Sequence, residues 1–239
     1  MTTTPEPDNE AMAVAERYAR RAARGVGDDL YSPLRPEVVL ARQQRQRVML
    51  ELLSRRAAQP LDQLRVLEIG CGSGSNLLEL ASLGFDASRL VGNELLPQRA
   101  AAARRQLPAA TALHEGDATQ LPFEGDSFDL VYQSTVFSSL LDDAFQKRLA
   151  HAMWRWVRPG GAVLWYDFVY SNPRNPDVRG VPLARVRALF PSARIDARRV
   201  TLAPPLSRRA ARLHPSVCTL LNALPLLRTH LLCWIGKPR

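Results

Sequence analysis

A glycine-rich turn between an apolar run and a helical segment constrains the fold of this chain more than any other feature. Residues 65–69 read Arg-Val-Leu-Glu-Ile, and Gly70, Gly72 and Gly74 follow at alternate positions. Glycine adopts the left-handed backbone of a tight turn and leaves room for a ligand to approach the main chain. The free N–H groups at the start of the next helix favour a negative group. The pattern predicts the first strand–turn–helix unit of a parallel α/β sheet.

Strand-like and helical segments alternate after this turn. Helices are predicted at 76–83, 98–106, 142–157 and 183–189, with an insert of helical character near 206–224. The β-rich runs fall at 65–69, 90–94, 111–115, 128–133, 162–168, 194–201 and 230–235. This order predicts a mostly parallel sheet with helices on both faces.

The composition is that of an ordinary globular protein, with 46% hydrophobic and 23% charged residues among 239. No apolar run is long enough to cross a bilayer. Residues 1–10 are rich in Thr, Pro, Asp and Glu and predict a disordered tail without a signal peptide, so we expect a cytoplasmic protein. The three cysteines form no C-x-x-C pair, and no cluster has metal-ligand spacing, so we expect neither a disulfide framework nor a metal site.

Positive charge is concentrated in the last third of the chain. Twelve arginines and Lys237 stand against two aspartates between residues 171 and 239, a net charge of +11, so the remaining residues carry −2. Such an asymmetry suggests an anionic partner on one face, and a solvated basic face is the alternative.

Four further segments extend the pattern of the glycine turn. Glu68 precedes a G-x-G-x-G loop, whereas a dinucleotide fingerprint needs glycine at position 75, which is Ser75. The segments after it read Leu-Val-Gly-Asn-Glu-Leu-Leu-Pro at 90–97, Glu-Gly-Asp-Ala-Thr-Gln-Leu-Pro at 115–122, Ser-Phe-Asp-Leu-Val-Tyr-Gln at 127–133 and Trp-Val-Arg-Pro-Gly-Gly-Ala-Val-Leu at 156–164. These five motifs, in this order, resemble the class I S-adenosylmethionine (SAM)-dependent methyltransferases of the ubiquinone/menaquinone and natural-product type.

The resemblance implies SAM as cofactor, without a metal. Glu94 would accept hydrogen bonds from the ribose hydroxyls, and Leu95 would pack on the adenine face. Asp117 would accept from the adenine amino group, and the Ala118 N–H would donate to the ring. The cofactor-binding residues implied in this way are Glu68, Gly70, Cys71, Gly72, Gly74, Asn76, Glu94, Leu95, Asp117, Ala118 and Gln133. Two of these have alternatives: Cys71 as a packing residue, and Glu68 as an indirect support that holds loop N–H groups.

The resemblance also implies an architecture. It predicts a Rossmann-like, seven-stranded α/β fold whose last strand is antiparallel, with an N-terminal helical cap over residues 11–60. The SAM-binding domain would then cover residues 61–239, with a helical insert at about 204–226.

Ligands of open parallel sheets lie beyond the carboxyl ends of the strands, so the loops at that edge are the candidate substrate walls. The substrate-binding candidates are Tyr18, Tyr31, Phe137, Tyr170, Arg174, Arg179, Arg208 and Arg209. Arginines there suit a carboxylate, phosphate or pyrophosphate. A hydroxyl acceptor also needs a base, for which the candidates are Asp167, Tyr166, His214 and His230.

The sequence therefore predicts a SAM-dependent methyltransferase for a small-molecule acceptor, either anionic or linked to a lipid or sugar. A nucleic-acid or protein methyltransferase is the alternative, favoured only by charge, and Gln-Ser-Thr-Val at 133–136 differs from the Asn-Pro-Pro-Tyr type of catalytic segment. A non-catalytic partner protein with this fold is a third possibility. Arginines beside apolar residues in the insert also suit an anionic membrane surface.

Overall fold

Seven strands form one mixed sheet at the centre of the molecule, in a computed structural model that describes residues 9–23, 32–173 and 175–239. The strands are β1 Val66–Ile69, β2 Leu90–Glu94, β3 Ala112–Glu115, β4 Phe128–Ser134, β5 Val157–Phe168, β6 Arg194–Leu202 and β7 Arg228–Gly236. Their order is β3-β2-β1-β4-β5-β7-β6, and β7 is antiparallel to both neighbours. The predicted Rossmann-like sheet with an antiparallel last strand is confirmed.

Helices cover both faces of this sheet, as predicted. They are α1 Asn9–Ala23, α2 Pro36–Arg56, α3 Ser75–Ser82, α4 Pro97–Gln106, α5 Asp143–Trp156, α6 Leu183–Leu189, α7 Pro204–Leu213 and α8 Pro215–Asn222. Four of them begin at proline, which lacks the N–H that a first turn leaves unpaired. In α5 the Asp142 carboxylate caps the helix by accepting from the Phe145 N–H.

Alternating strand residues divide the core into two layers. Leu231 and Cys233 of β7 belong to the layer that includes buried residues of α1, α5 and α6. Leu232 and Trp234 belong to the other layer, together with buried residues of α2 and α3. This alternation is expected, because successive side chains of a strand point to opposite faces.

The two N-terminal helices, which are predicted to form one cap, pack in different layers of the core. Val14 of α1 packs in the first layer, whereas Leu52 and Leu53 of α2 pack in the second. The two helices therefore lie on opposite faces of the sheet, and an amphipathic pattern alone does not specify which face a helix covers.

Several element boundaries differ from prediction, and the starts of β5 and α1 are two examples. β5 begins at Val157, five residues before the predicted start, because Phe128 pairs with Val157 and Leu130 with Ala162 across an irregular stretch. α1 begins at Asn9, inside the predicted disordered tail, and the remainder of that tail, residues 1–8, lies outside the described residues.

The helical insert consists of α7, α8 and a 3₁₀ turn at Pro225–Leu227, between β6 and β7. It has a small core of Leu202, Ala210 and Cys218, against which Leu40 of α2 packs. Since β7 is antiparallel to both β5 and β6, the carboxyl end of β6 lies at the same sheet edge as that of β5. The boundary between a cap and a SAM-binding domain, between residues 60 and 61, stays a prediction. No helix among the described residues is both long and apolar enough to cross a membrane.

Candidate active site

A cleft opens at the carboxyl ends of β1, β2 and β4. This is the sheet edge at which open α/β folds bind ligands. Residues from α1, the glycine turn, the β2–α4 turn and the loop after β4 line it. They include Ala11, Val14, Tyr18, Ile69, Gly70, Asn93, Glu94, Leu95, Leu96, Arg99, Asp117, Ala118, Ser134, Thr135, Val136, Ser139, Leu140, Phe145 and Leu149.

The glycine turn has the backbone that its sequence predicts. Gly70, Gly72 and Gly74 have φ values of 63°, 61° and 89°, in the region that glycine alone adopts readily. A Cβ on Gly70 would lie 2.7 Å from Cγ2 of Val136, so the chain passes too closely there for a side chain. Among the three glycines, Gly70 lies directly in the cleft lining.

Glu94 joins this turn to the start of α4. Its Oε2 accepts from the Gly72 N–H at 2.8 Å, and its Oε1 accepts from the Leu96 N–H at 2.9 Å. Each carboxylate oxygen has a second lone pair, so the buried Glu94 side chain still has acceptor capacity toward the cleft.

Asp117 has an unsatisfied acceptor in the cleft wall. Its Oδ1 accepts from the Thr119 N–H at 2.8 Å and from the Thr119 hydroxyl at 2.9 Å. Its Oδ2 is buried and has no hydrogen-bond partner. A buried carboxylate oxygen without a donor is costly, so this atom indicates that a ligand donor belongs there.

Glu68 lies behind the glycine turn rather than in the cleft lining. It is fully buried, and its Oε1 accepts from Nδ2 of Asn76 at 2.6 Å, while Oδ1 of Asn76 accepts from Arg45. Burial raises the pKa of Glu68 to about 7. Glu94, and not Glu68, is the carboxylate that accepts from the Gly72 N–H of the turn.

Burial raises the pKa of the Cys71 thiol far above its ordinary value, which leaves the thiol unreactive.

The loop after β4 forms another wall of the cleft. Gln133 is fully buried, its Oε1 accepts from the Val136 N–H at 3.0 Å, and its Nε2 donates to the Tyr166 carbonyl at 3.3 Å. Gln133 thus holds this loop in place through hydrogen bonds to main-chain groups. Thr135 has φ 58°, a strained conformation for a β-branched residue, and its N–H donates to the Tyr166 carbonyl.

Helix α1 covers the cleft and is tied to the loop after β4. Glu10 accepts from the Leu141 N–H at 2.7 Å and pairs with Arg17, whose guanidinium also donates to the Ser139 carbonyl. Tyr18 lies on the cleft side of α1, with the Arg99 guanidinium 5.2 Å from its ring. Tyr18 is therefore part of the cleft wall that α1 supplies.

The four candidate bases do not line the cleft. Asp167 is fully buried and accepts from the Ser138 and Phe168 N–H groups, and burial raises its pKa to about 7. Tyr166 bonds to Thr201 and stacks on His230 in the layer of α2 and α3, where burial lowers the pKa of His230 to about 4. His214 is exposed and caps α8 by accepting from the Ser216 N–H.

Most substrate-binding candidates also lie elsewhere. Phe137 is fully buried against Trp165, with ring centroids 4.5 Å apart, because the loop after β4 folds back into the core. Tyr170 is exposed and bonds to Arg199, while Arg179 pairs with Asp143 of α5. Arg208 and Arg209 lie on α7, outside the cleft. Tyr18 does line it, and Tyr31 and Arg174 lie outside the described residues.

Sequence reasoning missed several lining residues. Arg99 is the arginine of the lining, and it lies five residues after Glu94 on a helix whose pattern shows no sign of a ligand. Ser134, Thr135 and Ser139 fall in a loop that the topological argument identified as a wall, without selecting these hydroxyls.

Comparisons with known proteins agree with this geometry. Residues 66–161 match the family model described as a methyltransferase domain. The demethylmenaquinone methyltransferase of Roseiflexus castenholzii is 32% identical over 115 residues, which are 48% of this chain and 46% of that protein. The phthiotriol/phenolphthiotriol dimycocerosates methyltransferase 1 of Mycobacterium ulcerans is 36% identical over 132 residues, covering 51% and 45% of the two chains. The matched part of the chain thus spans about half the length of these curated relatives.

A solved structure gives the same fold. Phosphoethanolamine N-methyltransferase 2 of Haemonchus contortus, in complex with S-adenosyl-L-methionine, has a TM-score of 0.57 at 18% identity, covering 81% of this chain and 53% of that one. At this identity the likeness concerns the fold alone. Taken with the glycine turn and the two acids of the cleft, the family match identifies residues 66–161 as a class I SAM-dependent methyltransferase domain.

Proposed function

We propose that this chain transfers a methyl group from SAM to a small, largely apolar acceptor. The observation that carries the proposal is the cleft itself, in which the glycine turn, Glu94 and the unpaired Oδ2 of Asp117 lie around one cavity. SAM offers donors that match both acids: two ribose hydroxyls for Glu94 and an adenine amino group for Asp117.

The residues of the cleft fit SAM in polarity as well. Ile69, Leu95 and Ala118 supply an apolar wall beside Asp117, which suits a purine ring with one hydrogen-bonding edge. Arg99 at the rim lies beside Gly72, where a Cβ would be 2.6 Å from its guanidinium, and its charge suits a carboxylate.

When bound, SAM supplies an electrophilic methyl group on sulfur. The chain then has to align the acceptor and exclude water, and α1 with its Val14 and Tyr18 covers the cleft for that purpose. Alignment of two reactants contributes about 7–11 kcal/mol to a barrier reduction. The hydroxyls of Tyr18, Thr135 and Ser139 are among the polar groups of the lining that can orient an acceptor.

The apolar character of the wall favours an apolar acceptor over an anionic one. Leu140, Phe145 and Leu149 line the cleft, whereas Arg179 is paired with Asp143, and Arg208 and Arg209 lie on the insert. The two curated relatives are named for demethylmenaquinone and for phthiotriol dimycocerosates as acceptors. A quinone-like or lipid-like hydroxyl or carbon acceptor is therefore the first class to screen.

Isothermal titration calorimetry with SAM and S-adenosylhomocysteine tests the cofactor half of this proposal. Transfer of a labelled methyl group to a panel of quinols, polyketide phenols and sterols tests the acceptor half. Tight NADH binding without SAM binding would contradict the first half. Transfer to nucleic acid but to none of the small molecules would contradict the second and favour a nucleic-acid enzyme, and SAM binding with no transfer to any acceptor would favour a non-catalytic partner protein.

A further inference from the structure

We propose that the helical insert, residues 204–227, is a docking surface for an anionic lipid bilayer. The insert joins β6 to β7 and contains α7, α8 and the 3₁₀ turn at Pro225–Leu227.

The insert contains more leucines than its own core uses. Leu206, Leu221 and Leu227 face inward and pack against the small core of the insert. Four others face solvent: Leu213 is 80% exposed, Leu220 71%, Leu224 54% and Leu226 90%. An exposed leucine is ordinary by itself, but four within fourteen residues make a concentrated apolar surface that calls for a partner.

This concentration contrasts with the rest of the described surface. The other large apolar side chains that are exposed there are Met12, Leu34 and Tyr170, which belong to three separate segments of the chain. The apolar surface of the insert is therefore a local property of one element and not a general feature of the fold.

Three arginines belong to the same insert as these leucines. Arg208, Arg209 and Arg212 belong to α7, and the sequence from 204 to 227 contains no aspartate or glutamate. None of the three forms an ion pair with a residue in the described part of the chain, whereas Arg179 and Arg104 each pair with an acid. On α7 the exposed residues Arg209, Arg212 and Leu213 oppose the buried Ser207 and Ala210.

A bilayer with anionic headgroups matches both features together. Leucines gain by entering the boundary between headgroups and acyl chains, while nearby arginines are attracted to the negative surface. A nucleic acid would attract the arginines but would leave the leucines in water, and the insert has no Phe, Tyr or Trp on which a base could stack. A second copy of the chain would cover the leucines but would bring two sets of unpaired arginines together.

The position of the insert gives such docking a consequence. It lies at the carboxyl ends of the strands, the same sheet edge at which the cleft opens. Docking turns this edge toward the bilayer, from which an apolar acceptor reaches the cleft. That consequence rests on the proposed function, but the docking itself does not.

Vesicle flotation with the full chain tests the proposal. The probes are phosphatidylcholine vesicles with and without about 30% phosphatidylglycerol, at low and at physiological salt. We expect binding to the anionic vesicles. The fourfold variant L213S/L220S/L224S/L226S should lower the partition coefficient about tenfold or more. R208Q/R209Q/R212Q should lower it by about fivefold for each arginine at low salt.

The matched controls are an exposed leucine and an exposed arginine outside the insert. Leu34→Ser changes a leucine that is 90% exposed outside the insert, and Arg105→Gln changes an exposed arginine of α4. Both should bind vesicles like the wild type. All variants are checked for an unchanged melting temperature and, by calorimetry, for unchanged S-adenosylhomocysteine affinity, so that loss of vesicle binding is separated from misfolding or from failure of the proposed function.

Three outcomes overturn the proposal. If the wild type binds neither kind of vesicle, a bilayer is excluded as the partner of the insert. Binding that needs the arginines but survives the leucine changes identifies a polyanion surface instead. Concentration-dependent dimerisation that the leucine changes abolish, without vesicle binding, identifies an interface between two copies of this chain.

Discussion

At the scale of single residues, Asp117 gives the sharpest test of the cofactor site. Asp117→Asn keeps the size of the side chain and lets Oδ1 still accept from Thr119. It replaces the unpaired Oδ2 by an NH₂ group, which then faces the adenine amino group with a second donor. We expect the affinity for SAM and for S-adenosylhomocysteine to fall by about 10- to 100-fold, measured by titration calorimetry.

Asp86 supplies a matched control. Its carboxylate also caps a 3₁₀ turn, by accepting from the N–H and hydroxyl of Ser88, but it precedes β2 and lies outside the cleft lining. Asp86→Asn should leave both affinities unchanged. Equal losses in the two variants would show that the effect comes from the turn and not from the ligand.

Glu68 predicts how stability depends on pH. Burial raises its pKa from 4.5 to about 7, with Arg45, Glu79 and Glu94 also facing it. Between these values the folded chain holds more proton at Glu68 than the unfolded chain does. The Glu68 contribution to the free energy of unfolding is therefore present below pH 4.5 and is lost as the pH rises through about 7.

Glu68→Gln removes the ionisable group and keeps an oxygen that accepts from Asn76. It should match the wild type near pH 4 and exceed it by on the order of 3 kcal/mol near pH 8, in urea unfolding curves. The control is Glu51→Gln, the same change at an exposed position on α2. A stability difference that is constant with pH would contradict the assignment.

At the scale of elements, α1 is the helix that covers the cleft, with Ala11, Val14 and Tyr18 in its lining. The Arg17–Glu10 pair ties it to the loop after β4, through the Leu141 N–H and the Ser139 carbonyl. Arg17→Ala removes the guanidinium that pairs with the buried Glu10 carboxylate and donates to the Ser139 carbonyl. We expect faster hydrogen exchange over 9–23 and faster dissociation of S-adenosylhomocysteine, about tenfold or more.

Arg20→Ala on the same helix is the control for this prediction. Arg20 is half exposed and pairs with Asp177 at 3.2 Å, so its removal should change neither hydrogen exchange nor dissociation by much. If Arg17→Ala leaves both rates at the wild-type value, α1 is held by its apolar contacts alone.

The elements also show what could be read from the sequence. β1, the glycine turn and β2 were predictable, because an apolar run, alternate glycines and a strand ending in Glu94 are local signals. The placement of Phe137 was not, because whether a loop residue turns toward the cleft or into the core depends on Trp165 in another strand. The pairing of Arg179 with Asp143 is equally non-local. Residue type and position near the carboxyl ends of the strands suggest the candidate bases, but neither determines the face of the sheet on which a side chain lies.

At the scale of the whole molecule, the cleft couples distant parts of the chain. Its lining runs from Ala11 in α1 to Leu149 in α5, and includes residues of β1, β2 and β4. Because the unfolded chain cannot assemble this lining, a cleft ligand should stabilise the entire fold and not one local element.

This coupling predicts the size of the thermal shift. At a concentration of S-adenosylhomocysteine about 100 times its Kd, the free energy of unfolding rises by about 2.7 kcal/mol. For a chain of 239 residues this corresponds to a Tm increase of about 5–10 °C in a thermal-shift measurement. Asp117→Asn at the same ligand concentration should show a smaller shift with an unchanged Tm in the absence of ligand. NADH should give none, because the G-x-G-x-G turn has Ser75 where a dinucleotide loop has glycine. A shift with NADH as large as that with S-adenosylhomocysteine would contradict the cofactor assignment for the whole chain.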